Sequence, residues 1–213
     1  MTGKLRVKAN GRDLGELSIK RPSYENTARE YKIIYRPTQP GEPPLTSSYF
    51  VYFYIGGEVL REHNRSPNTY ANACALRVSF SLNMAGMRIP EAVSILPVTT
   101  IGGKRILQGG IEYIPDGDKY YYIYSVENLS SFLEYAWGKA DKLIYVSKGV
   151  SQLELLREMN KKGVIIFYIS GYSDATGHAT IWDGEKCLDE SSYYDPSTHP
   201  KQTLTAIKFW ELK

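Results

Sequence analysis

Apolar residues at Leu129, Phe132, Leu133 and Ala136 fall at i, i+3, i+4 and i+7, the spacing of one helix face, and Gly138 closes the run. Leu153, Leu156 and Met159 give the apolar line of a second helix, with Lys161-Lys162-Gly163 as its basic, glycine-terminated end. Ser66-Pro67 supplies an N-cap and a proline at the first helical position, which predicts a helix running to about Met84 with Gly86 just beyond its end. Its apolar positions Ala73, Ala75, Leu76, Val78, Phe80 and Leu82 run nearly all round, so it is expected to be buried. Val164 to Ile169 is an unbroken apolar run, the pattern of a central strand covered on both faces. His178 to Trp182 reads as its partner strand, entered from the turn-rich Gly171 to Gly177 and left through the hairpin signal Asp183-Gly184. Leu188 to Tyr194 and Ala206 to Leu212 are predicted as further strands.

The first part of the chain is less regular. Residues 1–20 alternate loosely around Asn10-Gly11, a type I′ turn signal, which predicts a small hairpin. Ser23 is placed to cap a short polar helix that reaches Tyr31. Thr38 to Pro44 is a Pro/Gly-rich loop. Tyr49 to Ile55, aromatic and β-branched, is predicted as a strand that turns at Gly56-Gly57. Ile89 to Thr100 is loop or extended chain, and Gly109-Gly110 to Tyr124 is extended with a turn at Pro115-Asp116-Gly117. Helices come first and a sheet collects late, which is an α+β plan with a mainly antiparallel sheet. A chain of 213 residues suits one domain, or one domain with an appended segment.

Composition narrows the function classes. Lys and Arg number 26 against 23 Asp and Glu, and no dense basic stripe marks a nucleic-acid partner. No run approaches the ~20 apolar residues of a membrane span. The first residues lack the apolar core of a signal peptide, so synthesis in the cytoplasm is expected, with any export depending on another route. The 18 tyrosines suit half-buried strands, or polar grooves that hold a sugar or a peptide. Two cysteines, Cys74 and Cys187, are too few for a disulfide framework, and a bond between them stays open at this level.

The candidate chemistry is acyl transfer by a thiol. Cys74 falls early in its helix, where the dipole and free N–H groups favour a thiolate and an oxyanion; a small buried core cysteine is the alternative. His178 follows a glycine at the start of a strand and is the candidate base. His63 and His199 lie in polar, loop-like surroundings. A hairpin through Asp183-Gly184 brings a residue near 188–189 opposite one near 178–179, so Asp189 is preferred over Asp183, Glu185 and Glu190 to orient the imidazole. No His/Cys/Asp cluster has metal-ligand spacing and no glycine-rich loop has a phosphate-binding pattern, so no metal and no cofactor are expected.

Cys, then His, then a carboxylate is the papain-type chain order, and longer blocks around these residues sharpen the likeness. Asn72-Ala-Cys74-Ala-Leu-Arg77-Val-Ser, Gly171 to Gly184 with His178 inside it, Cys187-Leu-Asp189 and the closing Phe209-Trp-Glu-Leu resemble the type VI secretion amidase effector family 4, within the NlpC/P60 papain-like peptidoglycan hydrolases. The likeness runs from about Arg21 to the C-terminus, so it implies residues 1–20 as an extension and 21–213 as a single domain, with a papain-like fold whose N-terminal helices, the nucleophile helix among them, pack on the sheet. It implies Cys74, His178 and Asp189 as catalytic residues and the bond between D-glutamate and meso-diaminopimelate in the peptidoglycan stem as the substrate. It also implies delivery by a secretion apparatus into a rival's periplasm and a cognate immunity protein as partner. Where relatives carry a second cysteine shortly after the aspartate, this chain reads Glu190-Ser-Ser-Tyr193, so Cys187 is expected to be a free thiol. A cysteine protease or acyltransferase acting on a protein, or a non-catalytic wall-binding module, are the rival readings.

Overall fold

In the computed structural model, residues 4–9, 12–35, 47–90, 100–102, 106–108, 111–114, 120–147, 149–172 and 175–213 are described. The chain opens with β1 (Lys4–Ala9) and β2 (Arg12–Ser18), then forms α1 (Tyr24–Ile34), α2 (Ser48–Ile55), α3 (Gly57–Arg65) and α4 (Cys74–Met84). Short strands follow: β3 (Thr100–Gly102), β4 (Ile106–Gln108), β5 (Ile111–Ile114) and β6 (Tyr121–Ile123). The remainder is α5 (Val126–Trp137), β7 (Lys142–Tyr145), α6 (Leu153–Glu158), β8 (Gly163–Ser170), β9 (Gly177–Trp182) and β10 (Thr203–Glu211). The late strands make one antiparallel sheet in the order β7-β10-β8-β9. The α+β plan and its mainly antiparallel sheet are therefore as the sequence predicts.

The two faces of that sheet read directly from the alternation of β8. Val164 and Ile166, with Ala179, Ile181 and Trp210, face a core closed by α1, α4 and α5. Ile165, Phe167 and Ile169, with Trp182, Ile207 and Phe209, face a second core closed in part by Leu156 of α6. Covered on both sides, β8 has no polar face to show, which is why its sequence does not alternate.

α4 is apolar all round because it lies between two cores. Ala75, Val78 and Leu82 join the core above the sheet, while Ala73, at its N-cap, and Leu76 and Phe80 join a core with Val51, Tyr52 and Ile55 of α2 and Val59 of α3. A helix buried this way must pair its own polar side chains. Ser79 does so twice: its hydroxyl donates to Ile123 O at 2.9 Å and accepts from Ile123 N at 3.0 Å. Asn83 donates to Tyr121 O at 2.9 Å and accepts from Ile89 N at 2.8 Å. These bonds pin α4 to β6 and so fix the position of Cys74 at its first turn.

Several predicted elements are confirmed and others corrected. β1 and β2 pair as an antiparallel hairpin; its turn residues Asn10 and Gly11 lie outside the described residues. Ser23 caps α1, accepting from Asn26 N at 3.3 Å. The predicted loop at 38–44 and the predicted turn at 115–117 lie outside the described residues, as do 91–99 of the predicted loop or extended chain at 89–100.

Tyr49 to Ile55 forms helix α2, not a strand. Ser47 caps it by accepting from Phe50 N at 3.2 Å, and Val51, Tyr52 and Ile55 bury one side. Aromatic pairs at i, i+4 (Tyr49 with Phe53, Phe50 with Tyr54) sit 6.1 and 5.7 Å apart between ring centroids, so packing overrides β propensity. Ser66-Pro67 does not open the buried helix. Ser66 closes α3 through its N–H bond to Glu62 O at 3.0 Å, and α4 begins only at Cys74.

Gly163 does not end α6; it is the first residue of β8, where a Cβ would come within 2.0 Å of Trp210 O. Leu188 to Tyr194 is not a strand. After a single bridge between Cys187 and Trp182, Glu190 takes φ 61° and turns the chain away from the sheet.

Candidate active site

Cys74 is the first residue of α4, closer to the helix start than a helix from Ser66 would have put it. The N-cap residue Ala73 adds no side-chain cap, so the first-turn N–H groups face the groove with the positive end of the helix dipole behind them. The sulfur accepts from the N–H of Ala75 and of Ala179, and it hydrogen-bonds the ring of His178. β9 delivers that ring. Ala179 and Ile181 point into the core beside α4, and His178 leaves the other side of the strand at the edge of the sheet. The glycine before it is required by space: a Cβ on Gly177 would lie 2.1 Å from Phe167 O across the β8–β9 pairing.

Asp189 arrives by the fold-back that the hairpin signal predicts. Asp183 N donates to Lys186 O at 3.0 Å, Leu188 N donates to Ile181 O at 2.9 Å, and Asp189 Oδ2 then lies 2.7 Å from His178 Nε2. With Nε2 turned to the carboxylate, Nδ1 is the nitrogen that faces the thiol. The carboxylate is itself held on every side. Ser191 donates to Oδ1 from its N–H at 3.2 Å and its hydroxyl at 2.7 Å, closing an Asx turn made possible by Glu190. Tyr31 donates to Oδ2 at 3.3 Å while accepting from Thr180 at 3.0 Å, and Tyr35 donates to Asp189 O at 2.9 Å. Thus α1, β9 and the turn after Cys187 all converge on one carboxylate.

The charges follow from this wiring. Burial alone raises the Cys74 thiol, but the hydrogen bond and charge of His178, with the Ala179 and Ala75 N–H groups, bring it below its ordinary value. Burial alone lowers His178, yet its bonds to Asp189 and Cys74 and the charges of both lift it to about 10. Asp189 is pushed up by burial and pulled down to about 2 by His178 and Ser191. The wiring therefore favours a thiolate–imidazolium pair backed by a carboxylate. Cys187, the second free cysteine, is buried and held well above its ordinary range by burial, so it stays a thiol.

Cys74 lies on the floor of a groove. On one side is a cleft of about 500 Å³ lined by Thr69, Tyr124, Ser125 and Thr176; on the other is a hollow of about 290 Å³ lined by Ser48, Arg77, His178 and Tyr193. Asn72, Tyr172 and Ala175 border both. Tyr193 packs its ring 4.8 Å from His178 and stacks at 4.2 Å on His199. His199 therefore stands next to the site through Tyr193, which its loop-like sequence context does not reveal. His63 is not in a loop: it is buried on α3 against the rings of Tyr49 and Tyr52. The rival carboxylates Asp183 and Glu185 serve elsewhere, in the turn and with Arg157. The sequence reading also misses Tyr31, Thr180 and Ser191. Ser191, two residues past Asp189, carries a legible Asx-turn signal; Tyr31 has none, because only the tertiary fold brings α1 to Asp189.

The model of the family described as type VI secretion system amidase effector protein 4 matches residues 70–210, a span that contains Cys74, His178 and Asp189. The chain belongs to this family. The fold agrees with solved members. The crystal structure of the type VI effector–immunity complex Tae4–Tai4 from Enterobacter cloacae is similar at 27% identity and a TM-score of 0.67, over 91% of this chain and 100% of that one. The effector Tae4 from Enterobacter cloacae gives 26% identity and a TM-score of 0.64, over 92% and 100%. The complex from Salmonella Typhimurium, at 24% identity and a TM-score of 0.66 over 91% and 100%, shares the fold. No curated protein matches. As a family member the protein is a peptidoglycan amidase effector of type VI secretion. Among the described residues no helix is long and apolar enough to cross a membrane.

Proposed function

We propose that the protein hydrolyses the amide between the γ-carboxyl of D-glutamate and meso-diaminopimelate in the peptidoglycan stem, with Cys74 as nucleophile, His178 as acid and base, and Asp189 as the group that orients His178. The observation that carries this is the chain of contacts from Cys74 through His178 to Asp189 at the floor of an open groove. The Cys74 thiolate attacks the γ-carbonyl carbon, and the oxygen that takes up charge is received by N–H groups of the first turn of α4. The His178 proton on Nδ1 passes to the leaving amine of diaminopimelate as the C–N bond breaks, leaving a γ-glutamyl thioester on Cys74. Neutral His178 then takes a proton from water, the hydroxide adds to the thioester carbonyl, and the acid product leaves as the thiolate is restored. Asp189 holds Nε2–H throughout, which fixes the tautomer and stabilises the imidazolium.

The site of action follows from the substrate: the wall of a rival cell, reached from its periplasm, with a cognate immunity protein guarding the producer. The relatives crystallised as effector–immunity complexes support that partner. Digestion of isolated Gram-negative sacculi with the protein and with Cys74→Ala, followed by mass spectrometry, tests the reaction. Fragments ending in D-glutamate from the unaltered protein alone are expected. Release of any other terminus, or none, rejects the assigned bond.

A further inference from the structure

His178 sits on β9, the edge strand of the sheet, where no further strand covers it on the open side. Its side chain is nonetheless only 15% exposed. Asp189 holds the ring at Nε2, and Cys74 meets it at the other nitrogen. Both are in-plane hydrogen bonds, which fix two edges of the ring and leave its tilt to packing. Tyr193 supplies that packing, with its ring 4.8 Å from the imidazole between centroids and inclined by 47°. The same ring meets Phe167, the residue directly across from His178 on β8, at 6.2 Å.

Tyr193 is held in turn. Ser192 donates its hydroxyl to Thr198 Oγ1 at 3.0 Å, and Thr198 donates to Asp195 O at 2.7 Å, which closes the segment into a compact turn. The residues that follow Ser192 and Thr198 are Tyr193 and His199, and these stack at 4.2 Å with 22° between their planes. Tyr172 approaches the Tyr193 ring edge-on at 6.4 Å and is hydrogen-bonded to its hydroxyl. The tyrosine is thus half-buried and supported on several sides, and the proposed chemistry leaves it without a task.

The reaction creates one. The contact between Nδ1 and the sulfur lasts only while Cys74 is unacylated. Once the thioester forms, His178 loses that partner, and the Asp189 bond alone lets the imidazole swing about Nε2 just when it must take a proton from water. An aromatic ring within about 6 Å also favours the charged imidazolium, the more so where water is kept away. We propose that Tyr193, backed by His199, is a positioning residue: its ring keeps the His178 imidazole aligned with Cys74 and Asp189 through both halves of the reaction. The proposal rests on the assignment of Cys74 as nucleophile and His178 as acid and base, and not on which amide is cut.

Two readouts test it, one with substrate and one without: kcat and KM on a soluble stem peptide, and the pH midpoint for alkylation of Cys74 by iodoacetamide, read from the mass of the Cys74 peptide. The groups that face the thiol are His178 and the N–H groups of Ala75 and Ala179, so a moved midpoint reports on His178. Tyr193→Leu is expected to lower kcat about 3- to 30-fold with little change in KM, and to move the midpoint up by about 0.5 to 1.5 pH units, because a loosened His178 holds the thiolate less well. Tyr193→Phe keeps the ring and should keep both values. His199→Leu leaves Tyr193 in place but unbacked and should shift both in the same direction by less; it carries the test if Tyr193→Leu fails to fold. Unaltered kcat and midpoint in both leucine variants overturn the proposal. Equal losses in Tyr193→Phe and Tyr193→Leu overturn it in favour of the hydroxyl, and a raised KM with unchanged kcat overturns it in favour of a substrate contact. If the unaltered protein leaves the peptide uncut, the stem reading fails, and the alkylation midpoint still decides the role of Tyr193.

Discussion

His178 Nε2 meets Asp189 Oδ2 at 2.7 Å, and this contact, together with Cys74, lifts the imidazole to about 10. The acid limb of kcat/KM should follow loss of the Cys74 proton, which His178 draws below its ordinary value, and the alkaline limb should follow loss of the His178 proton at about 10. In Asp189→Asn the Asp189 share of what raises His178 is lost and only that of Cys74 stays, so the alkaline limb should move to lower pH, with a fall of about 10²- to 10⁴-fold in turnover. A pH–rate profile on a soluble stem peptide checks this; an unmoved alkaline limb would mean that another group holds the imidazolium. The sign for stability is the same pair seen from both partners. Asp189, lowered to about 2, stabilises the fold above its ordinary value of 3.8, and that contribution is lost as pH falls toward 2. His178 contributes below its ordinary 6.5, and the contribution is lost as pH rises through about 10.

Cys74→Ala replaces a small buried side chain at the open end of α4 with another small one. Cleavage of sacculi should vanish while the melting temperature stays within about 4 °C, the shift expected for about 1 kcal/mol in a chain of this size. A much larger drop in a calorimetric scan would assign Cys74 to packing rather than to chemistry.

Tyr193 separates His178 from His199, and the two imidazoles sense each other across it. Burial and the charge of His178 both lower His199 below its ordinary value. Removing the charge in His178→Ala should therefore raise the His199 pKa, read from its ring protons in an NMR titration. An unchanged value would leave burial as the sole cause.

Much of this was legible because it depends on local chemistry. The unbroken run of β8, the cap at Ser23, the hairpin signal at Asp183-Gly184 and the Cys74, His178, Asp189 set all carry their reasons in neighbouring residues. What was not legible depends on distant packing. Tyr49 to Ile55 looks like a strand until Ser47 caps it and one core takes up its Val51, Tyr52 and Ile55. Ser66-Pro67 looks like a helix start because the C-terminal turn of α3 leaves no mark stronger than the proline beside it. Tyr31 reaches Asp189 from 158 positions earlier in the chain, a spacing no local pattern encodes.

Gly177→Ala should damage both the sheet and the chemistry. Its Cβ would fall 2.1 Å from Phe167 O, so β9 must shift against β8 and carry His178 with it. We expect a loss of about 2 kcal/mol or more in urea unfolding, together with a fall in kcat. Full activity with unchanged stability would mean that the strand pair yields there without cost.

Both cysteines of the chain are unpaired thiols. No covalent cross-link is needed to close the cores around them, so the native fold requires neither an oxidant nor a disulfide isomerase. The same fold can therefore form in a reducing compartment and hold its shape in an oxidising one.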